Sequence, residues 1–188
     1  RSSAASDVYK RQEMVNDVIT KPYSVAVHAH KKELSTEHDE SYLMMIDRKG
    51  KWRINTMIKG FANKIKGFAS SYSNTGDIIL IGKSVEDMLF AFNELKRMNG
   101  GIVLVENGEV ITALPLTIGG SLYKGSVDEL IPLERALKEQ LHARGYHHSD
   151  AIYTLLFLQS THLPYIRVTP RGLFDVMKNV VLLPSVMR

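Results

Sequence analysis

The densest group of side chains that could bind a ligand lies in one stretch, Ser70-Ser71-Tyr72-Ser73-Asn74-Thr75-Gly76-Asp77. Hydroxyl, amide and carboxylate groups can hydrogen-bond the polar edge of a small molecule. Only Asp77 among them could act as a general base, and the sequence places no obvious partner beside it. The same residue types also make ordinary polar turns. Both interpretations stay open, and we take Ser70, Ser71, Asn74 and Asp77 as candidate pocket-lining residues, none of them catalytic.

Two short motifs offer further polar chemistry. Asp47 and Arg48 follow an apolar run of strand length and complete the candidate set, although an adjacent acid and base at a strand end is often a structural ion pair or a turn. His28 and His30 are alternate residues of a predicted strand, so they share a face and could hold one cation. A catalytic metal site needs further histidines and a carboxylate. We therefore favour a surface strand end at His28 and His30 and predict no metal site.

Strands must position these candidates. Alternating or continuous apolar runs predict strands over residues 21–30, 42–47, 53–58, 77–81, 102–105, 109–114 and 163–168. Asn107-Gly108 is typical of a tight hairpin turn. The segment 170–176, PRGLFDV, is expected to form a turn. The candidate residues thus fall at the ends of predicted strands, where functional loops often lie.

Three helices are predicted. Ser84 is a plausible N-cap for a helix over 84–98, whose apolar stripe comprises Met88, Leu89, Phe92, Leu95 and Met98. Ser126 and Glu129 form a capping-box pattern for a second helix, in which Pro132 should cause a kink or delay the start. A third helix should run from Asp150 to Leu158. Paired strands with late helices predict an α+β (mixed α/β layer) fold, with a mainly antiparallel sheet and helices packed on it.

Composition narrows the class of protein. The chain has 188 residues, 44% of them apolar and 23% charged, which suits one globular core. It contains no cysteine, so thiolate metal sites and disulfides are excluded, and a cytoplasmic protein is expected. No apolar run approaches the roughly 18 residues of a membrane span. The net charge of +4 forms no patch, so we predict neither membrane nor nucleic-acid partners.

The start of the chain suggests a fragment of a larger protein. Residues 1–12, RSSAASDVYKRQ, are small and polar without an apolar period, and we interpret them as a non-native or disordered leader. Residues 13–188 are predicted to form one domain.

The stretch from Ile58 to Val105 carries a family resemblance. The phrases GFASS, IILIG and GGIVLVENGEV, and Glu86-Asp87-Met88 at the start of a helix, resemble the C-terminal domain of the adenine deaminases. These are large amidohydrolases that hydrolyse adenine to hypoxanthine and ammonia. Asp47-Arg48 and the segment 114–120, LPLTIGG, also match family phrases. In the family, the run between GFASS and IILIG usually contains two histidines, whereas Tyr72 to Asp77 contains none.

The resemblance covers about residues 42–180 and implies a role. This chain would be the C-terminal domain of an adenine deaminase-like protein, without the amidohydrolase barrel, and inactive alone. The resemblance implies that the barrel is its partner and holds the divalent metal (manganese, iron or zinc). The domain would line a pocket for a purine-like small molecule, and the full-length protein would be a homo-oligomer. The alternative is a non-catalytic ligand-binding or oligomerisation module. A domain cut from a barrel should also expose an apolar patch, expected near Gly60 to Gly67 and Gly119-Gly120.

Overall fold

An open, mostly antiparallel sheet organises the protein. The computed structural model describes residues 8–26 and 32–188, so His28 and His30 lie outside the described residues. The strands are β1 (Val8–Met14), β2 (Thr20–Ala26), β3 (Glu40–Ile46), β4 (Trp52–Lys59), β5 (Gly67–Ser70), β6 (Ile78–Gly82), β7 (Gly101–Glu106), β8 (Glu109–Pro115), β9 (Ile166–Thr169), β10 (Gly172–Asp175), β11 (Val180–Pro184) and β12 (Val186–Met187). The helices are α1 (Val85–Arg97), α2 (Val127–Ala143) and α3 (Ala151–Phe157).

The strands form two sheets. In the larger sheet the order is β2-β1-β4-β3-β6-β5-β7-β8, and β12 pairs with one end of β4. The smaller sheet has the order β11-β10-β9. Neighbouring strands are antiparallel except for the short parallel pairing of β1 with β4. The predicted α+β class with a mainly antiparallel sheet is confirmed.

Helices cover both faces of the larger sheet. On one face, α1 buries Met88, Ala91 and Leu95 against apolar residues of β5, β6 and β7. Gly67 permits this close packing, because a Cβ at this position would lie 2.3 Å from the backbone of Asp87. On the other face, α2, α3 and the smaller sheet enclose the main core, which includes Phe61, Phe68 and Leu137.

The helix starts follow the predicted caps. Ser84 Oγ accepts a hydrogen bond from the Asp87 backbone at 3.2 Å, and Ser126 and Glu129 form the complete capping box. Pro132 neither delays the start of α2 nor interrupts it, because α2 runs unbroken from Val127. Pro132 has no backbone N–H to donate to the Asp128 carbonyl, but Asp128 and Pro132 are both exposed, so water can reach that carbonyl.

None of the helices that the structure describes is both long and apolar enough to cross a membrane.

Several expectations from the sequence were wrong. The segment 170–176 is not simply a turn, because Gly172–Asp175 is strand β10, paired on both sides with Leu173 fully buried. Residues 8–12 of the segment that we interpreted as a non-native or disordered leader belong to strand β1. The apolar residues between Gly60 and Gly67 are buried in the core, so no exposed patch lies there. Near Gly119-Gly120, by contrast, Ile118 and Leu122 are 48% and 61% exposed.

Asp17, in the β1–β2 turn, ties this hairpin to the segment between α2 and α3. Its carboxylate accepts hydrogen bonds from the Tyr146 hydroxyl at 2.7 Å, from the Asp150 backbone at 2.9 Å and from the hydroxyl and backbone of Ser149. Burial alone would raise the pKa of Asp17, but the hydrogen bonds from Ser149, Asp150 and Tyr146 together outweigh burial and lower it.

Replacing Asp17 by asparagine should lower the free energy of unfolding by about 2 kcal/mol at neutral pH, because charge-assisted hydrogen bonds are lost. A carboxyl group whose pKa is lowered in the folded state stabilises above its unfolded pKa, and this stabilisation disappears as the pH falls through the folded value. The difference from wild type should therefore shrink below about pH 4. Urea unfolding across this pH range tests the prediction. Glu139→Gln, on the exposed side of α2, is the matched control; an equal loss at all pH values would contradict the expectation.

Candidate functional site

The polar loop at residues 71–77 connects β5 to β6 and lies beside three other segments. These are the β3–β4 turn with Arg48, the Gly119-Gly120 segment after β8, and the end of α3 with Gln159 and Ser160. The antiparallel pairing of β3, β6 and β5 brings the loop at residues 71–77 and the β3–β4 turn to the same end of these strands. The packing of α3 against the sheet adds Gln159 and Ser160, which are more than 80 positions away from their partners in the loop.

Asp77 is the buried centre of this cluster, only 6% exposed. Its carboxylate accepts hydrogen bonds from Gln159 Nε2 at 2.9 Å, from the Thr75 hydroxyl at 2.5 Å and from the Arg48 backbone at 3.3 Å. Ser73 Oγ donates to the Asp77 carbonyl at 2.9 Å. With its oxygens occupied in this way, Asp77 holds the loop, the β3–β4 turn and the end of α3 together.

Ser71 makes a second junction. Its hydroxyl accepts a hydrogen bond from the Gly101 backbone at 2.8 Å and donates to the Gly120 carbonyl at 2.6 Å. Gly120 has a φ of +79°, and a Cβ at this position would lie 3.1 Å from Ser71 Oγ. A side chain at Gly120 would therefore be strained and would push into this contact.

Arg48 spans the opening between these segments. Its Nη1 donates to the Gly119 carbonyl at 2.8 Å, while the side chain remains exposed. A cavity of about 280 Å³ lies beside it, lined by Arg48, Ser71, Gly76, Lys96, Asn99 and Gly120 together with Ile78, Leu95 and Gly100. The lining contains two cationic groups, a hydroxyl and an amide. Such a set can hydrogen-bond and orient a polar ligand.

The structure separates the candidates into two groups. Arg48, Ser71, Asn74 and Asp77 belong to the cluster, with Asn74 Nδ2 lying 3.3 Å from Ser160 Oγ. Asp47 instead closes the β3–β4 turn, where its carboxylate accepts from the backbones of Lys49 and Lys51 at 3.0 and 2.9 Å. Ser70 is buried and bonds only locally, with its Oγ accepting from the Tyr72 backbone at 3.0 Å.

No sequence pattern pointed to several residues of the cluster. Gln159 and Ser160 follow a short apolar helix, and Lys96 and Asn99 belong to an ordinary helix end. Their approach to the loop depends on tertiary packing.

Among the described residues, no three His, Cys, Asp or Glu side chains gather closely enough to hold a metal ion. The donor set of this site, with Asp77 as its buried carboxylate and two cationic groups nearby, does not fit a metal ion.

The fold and the site define an α+β domain that is not a barrel and that presents a polar wall beside a small cavity. The chain belongs to the family of adenine deaminase C-terminal domains, whose sequence model matches residues 17–180.

Relatives agree with this assignment. The chain is 57% identical over 176 residues to a protein of Halalkalibacterium halodurans and 54% identical over 175 residues to one of Bacillus subtilis, both named "putative adenine deaminase". These alignments cover 94% and 93% of this chain but 30% of each relative. A protein of Halalkalibacterium halodurans named adenine deaminase is 33% identical over 122 residues, which is 64% of this chain and 21% of that protein. The chain thus spans less than a third of the length of these curated relatives.

Proposed function

We propose that this chain is the C-terminal domain of a longer enzyme that deaminates adenine or a closely related purine by hydrolysis. The observation that carries the proposal is the family match over residues 17–180, together with a polar cluster formed by family-like segments. Those segments, around Arg48, residues 70–77 and residues 114–120, are distant in sequence but lie in contact. In the reaction, water oxygen bonds to the ring carbon, the bond from that carbon to the amino nitrogen breaks, and ammonia leaves.

The proposed role of this domain is to bind and orient the substrate. Arg48, Lys96, Ser71 and Asn99 would face a polar heterocycle at the cavity, while Asp77 would fix the loop and the Arg48 backbone. We place the divalent metal and the proton-transferring carboxylate in a barrel formed by the part of the polypeptide outside this chain. The full-length protein is proposed to be cytoplasmic and homo-oligomeric.

A second candidate function rests on the cavity itself. Its lining includes the polar groups of Arg48, Ser71, Lys96 and Asn99, and the loop that borders it contains no histidine. These observations favour a non-catalytic module that binds a polar ligand.

Replacing Arg48 by glutamine in the full-length protein should lower kcat/KM for adenine about tenfold, or roughly 1.4 kcal/mol, if the cavity orients the substrate. Ammonia release from adenine measures the effect. Lys49→Gln is the matched control, because Lys49 is the exposed neighbour in the same turn. The 188-residue chain alone should release no ammonia above background, with or without added manganese, iron or zinc.

Three outcomes are informative. Turnover by the full-length protein that falls with Arg48→Gln but not with Lys49→Gln supports the proposal. Full-length turnover that is unchanged in both variants reduces the cluster to a structural turn. A full-length protein that binds a purine without releasing ammonia favours the non-catalytic module.

A further inference from the structure

One face of the larger sheet is only partly covered by helix α1. This helix packs on β5, β7 and β6, whereas β3 and β4 extend beyond it. Met44 and Ile46 of β3 point to this face and remain half-buried. The uncovered part of the face is continuous with the end of β4 where β12 pairs.

A groove of about 710 Å³ lies between α1 and these strands. Its apolar lining includes Met44, Ile46, Leu89, Phe92, Val186 and Met187. Leu89, Val186 and Met187 are 54%, 56% and 67% exposed, so the groove presents apolar side chains to solvent. Single exposed apolar side chains are common on protein surfaces, but here several of them line one groove.

The apolar stripe of helix α1 widens towards this groove. Its outer part, Leu89 and Phe92, lines the groove and adjoins the buried residues Met88 and Leu95, and Phe92 also packs against the core. The sequence predicted a single stripe that includes Leu89, but Leu89 is more than half exposed. An apolar helix surface that is only partly covered leaves room for a further segment to pack against it.

Charge around the groove restricts what that segment can be. Arg53, Lys96 and Arg188 contribute to its lining, and the lining that the structure describes contains no aspartate or glutamate. A second copy docked groove to groove by a two-fold axis would bring these cations against one another. Apolar surface with a cationic rim instead complements a segment that carries both apolar side chains and carboxylates.

We propose that this groove is the docking site for an acidic, apolar segment in the part of the full-length polypeptide outside this chain. The inference rests on the proposed function, in which the chain is one domain of a longer enzyme. Its support is the charge of the rim and the length of the relatives, of which this chain covers only 30%. The partner surface would cover β3, β4 and the outer part of the α1 stripe.

Methionine oxidation in the full-length protein tests the docking. Met187 lies in the groove and is 67% exposed, and Met177 lies outside it and is 68% exposed. Without a partner, the two thioethers should form sulfoxides in dilute hydrogen peroxide at similar rates. With the groove covered, Met187 should react at least about tenfold more slowly than Met177, as measured by peptide mass spectrometry. The double substitution Arg53→Glu and Arg188→Glu should restore the oxidation of Met187, whereas Arg171→Glu, at an exposed turn, should not.

The alternatives give different results. Equal rates for Met187 and Met177 in the full-length protein would overturn the proposal. Protection of Met187 that disappears on dilution would assign the groove to a second copy and also overturn it. The oxidation rates do not depend on turnover, so a full-length protein that releases no ammonia but protects Met187 would refute the proposed function and retain the docking site.

Discussion

Replacing Arg167 by methionine should lower the free energy of unfolding by about 4 kcal/mol, because it leaves several buried carbonyl groups without a donor. Arg167 is fully buried in β9. Its guanidinium donates to the carbonyls of Val18 at 2.7 Å, Pro164 at 3.0 Å, Phe157 at 3.3 Å and Leu163 at 3.5 Å. No carboxylate among the described residues forms an ion pair with it.

The size of this effect follows from what remains after the substitution. An apolar side chain can replace a buried ion pair at little cost when both partners are removed together. At Arg167 the partners are backbone carbonyls, which no side-chain substitution removes. These carbonyls belong to three segments: the β1–β2 turn, the end of α3 and the segment before β9. The Arg167 side chain therefore holds these three segments against one another.

Chemical denaturation and thermal unfolding measure the loss, which corresponds to roughly 8–16 °C in Tm for a domain of this size. Burial lowers the pKa of Arg167 to about 10, so its charge is constant near neutrality. The difference from wild type should therefore not vary between about pH 5 and pH 8. Arg171→Met, at the exposed turn after β9, should change stability by less than about 0.5 kcal/mol. A loss at Arg167 as small as at Arg171 would show that the carbonyls find other donors.

Replacing Lys83 by methionine should cost about 3 kcal/mol, again by leaving buried carbonyls unpaired. Lys83 lies between β6 and α1 and is fully buried. Its ammonium donates to the carbonyls of Ser35 at 3.0 Å, His38 at 2.6 Å and Glu40 at 2.5 Å. Burial lowers the pKa of Lys83, while the nearby carboxylates of Glu40 and Asp39 oppose that shift.

The Lys83 substitution should act locally as well as globally. Two of the carbonyls that it holds, those of Ser35 and His38, belong to the irregular segment before β3, and the third belongs to the first residue of β3. This segment should therefore lose its anchor on the sheet. Hydrogen exchange should accelerate at the Leu34 amide, which donates to the Lys83 carbonyl at 2.8 Å. Lys64→Met is the matched control, since Lys64 is exposed on a nearby loop. Unchanged exchange at Leu34 together with unchanged stability would show that the ammonium does not hold the segment.

Local sequence signals determined the elements around the site. The serine caps of α1 and α2 and the Asn107-Gly108 hairpin were predictable because each depends on residues a few positions apart. Asn107 and Gly108 adopt the positive φ values that such a turn requires, 53° and 76°. The family phrases identified the loop at residues 70–77 and Arg48 as parts of one region, and the structure brings them into contact.

Contacts between distant parts of the chain decided which polar side chains are buried and which groups they pair with. Asp87 lies in the first turn of α1, where a carboxylate complements the helix dipole, and it is also buried and accepts hydrogen bonds from the Asn107 and Gly108 backbones at 3.2 and 2.8 Å. The partners of Asp77 and Arg167 likewise lie far away along the chain. A hydrogen bond between distant residues leaves no periodic pattern, because its geometry is fixed only when the sheet and helices have packed. The sequence therefore determined most of the elements, the caps and the family, whereas the tertiary structure decided which polar groups meet and which part of the apolar surface stays uncovered.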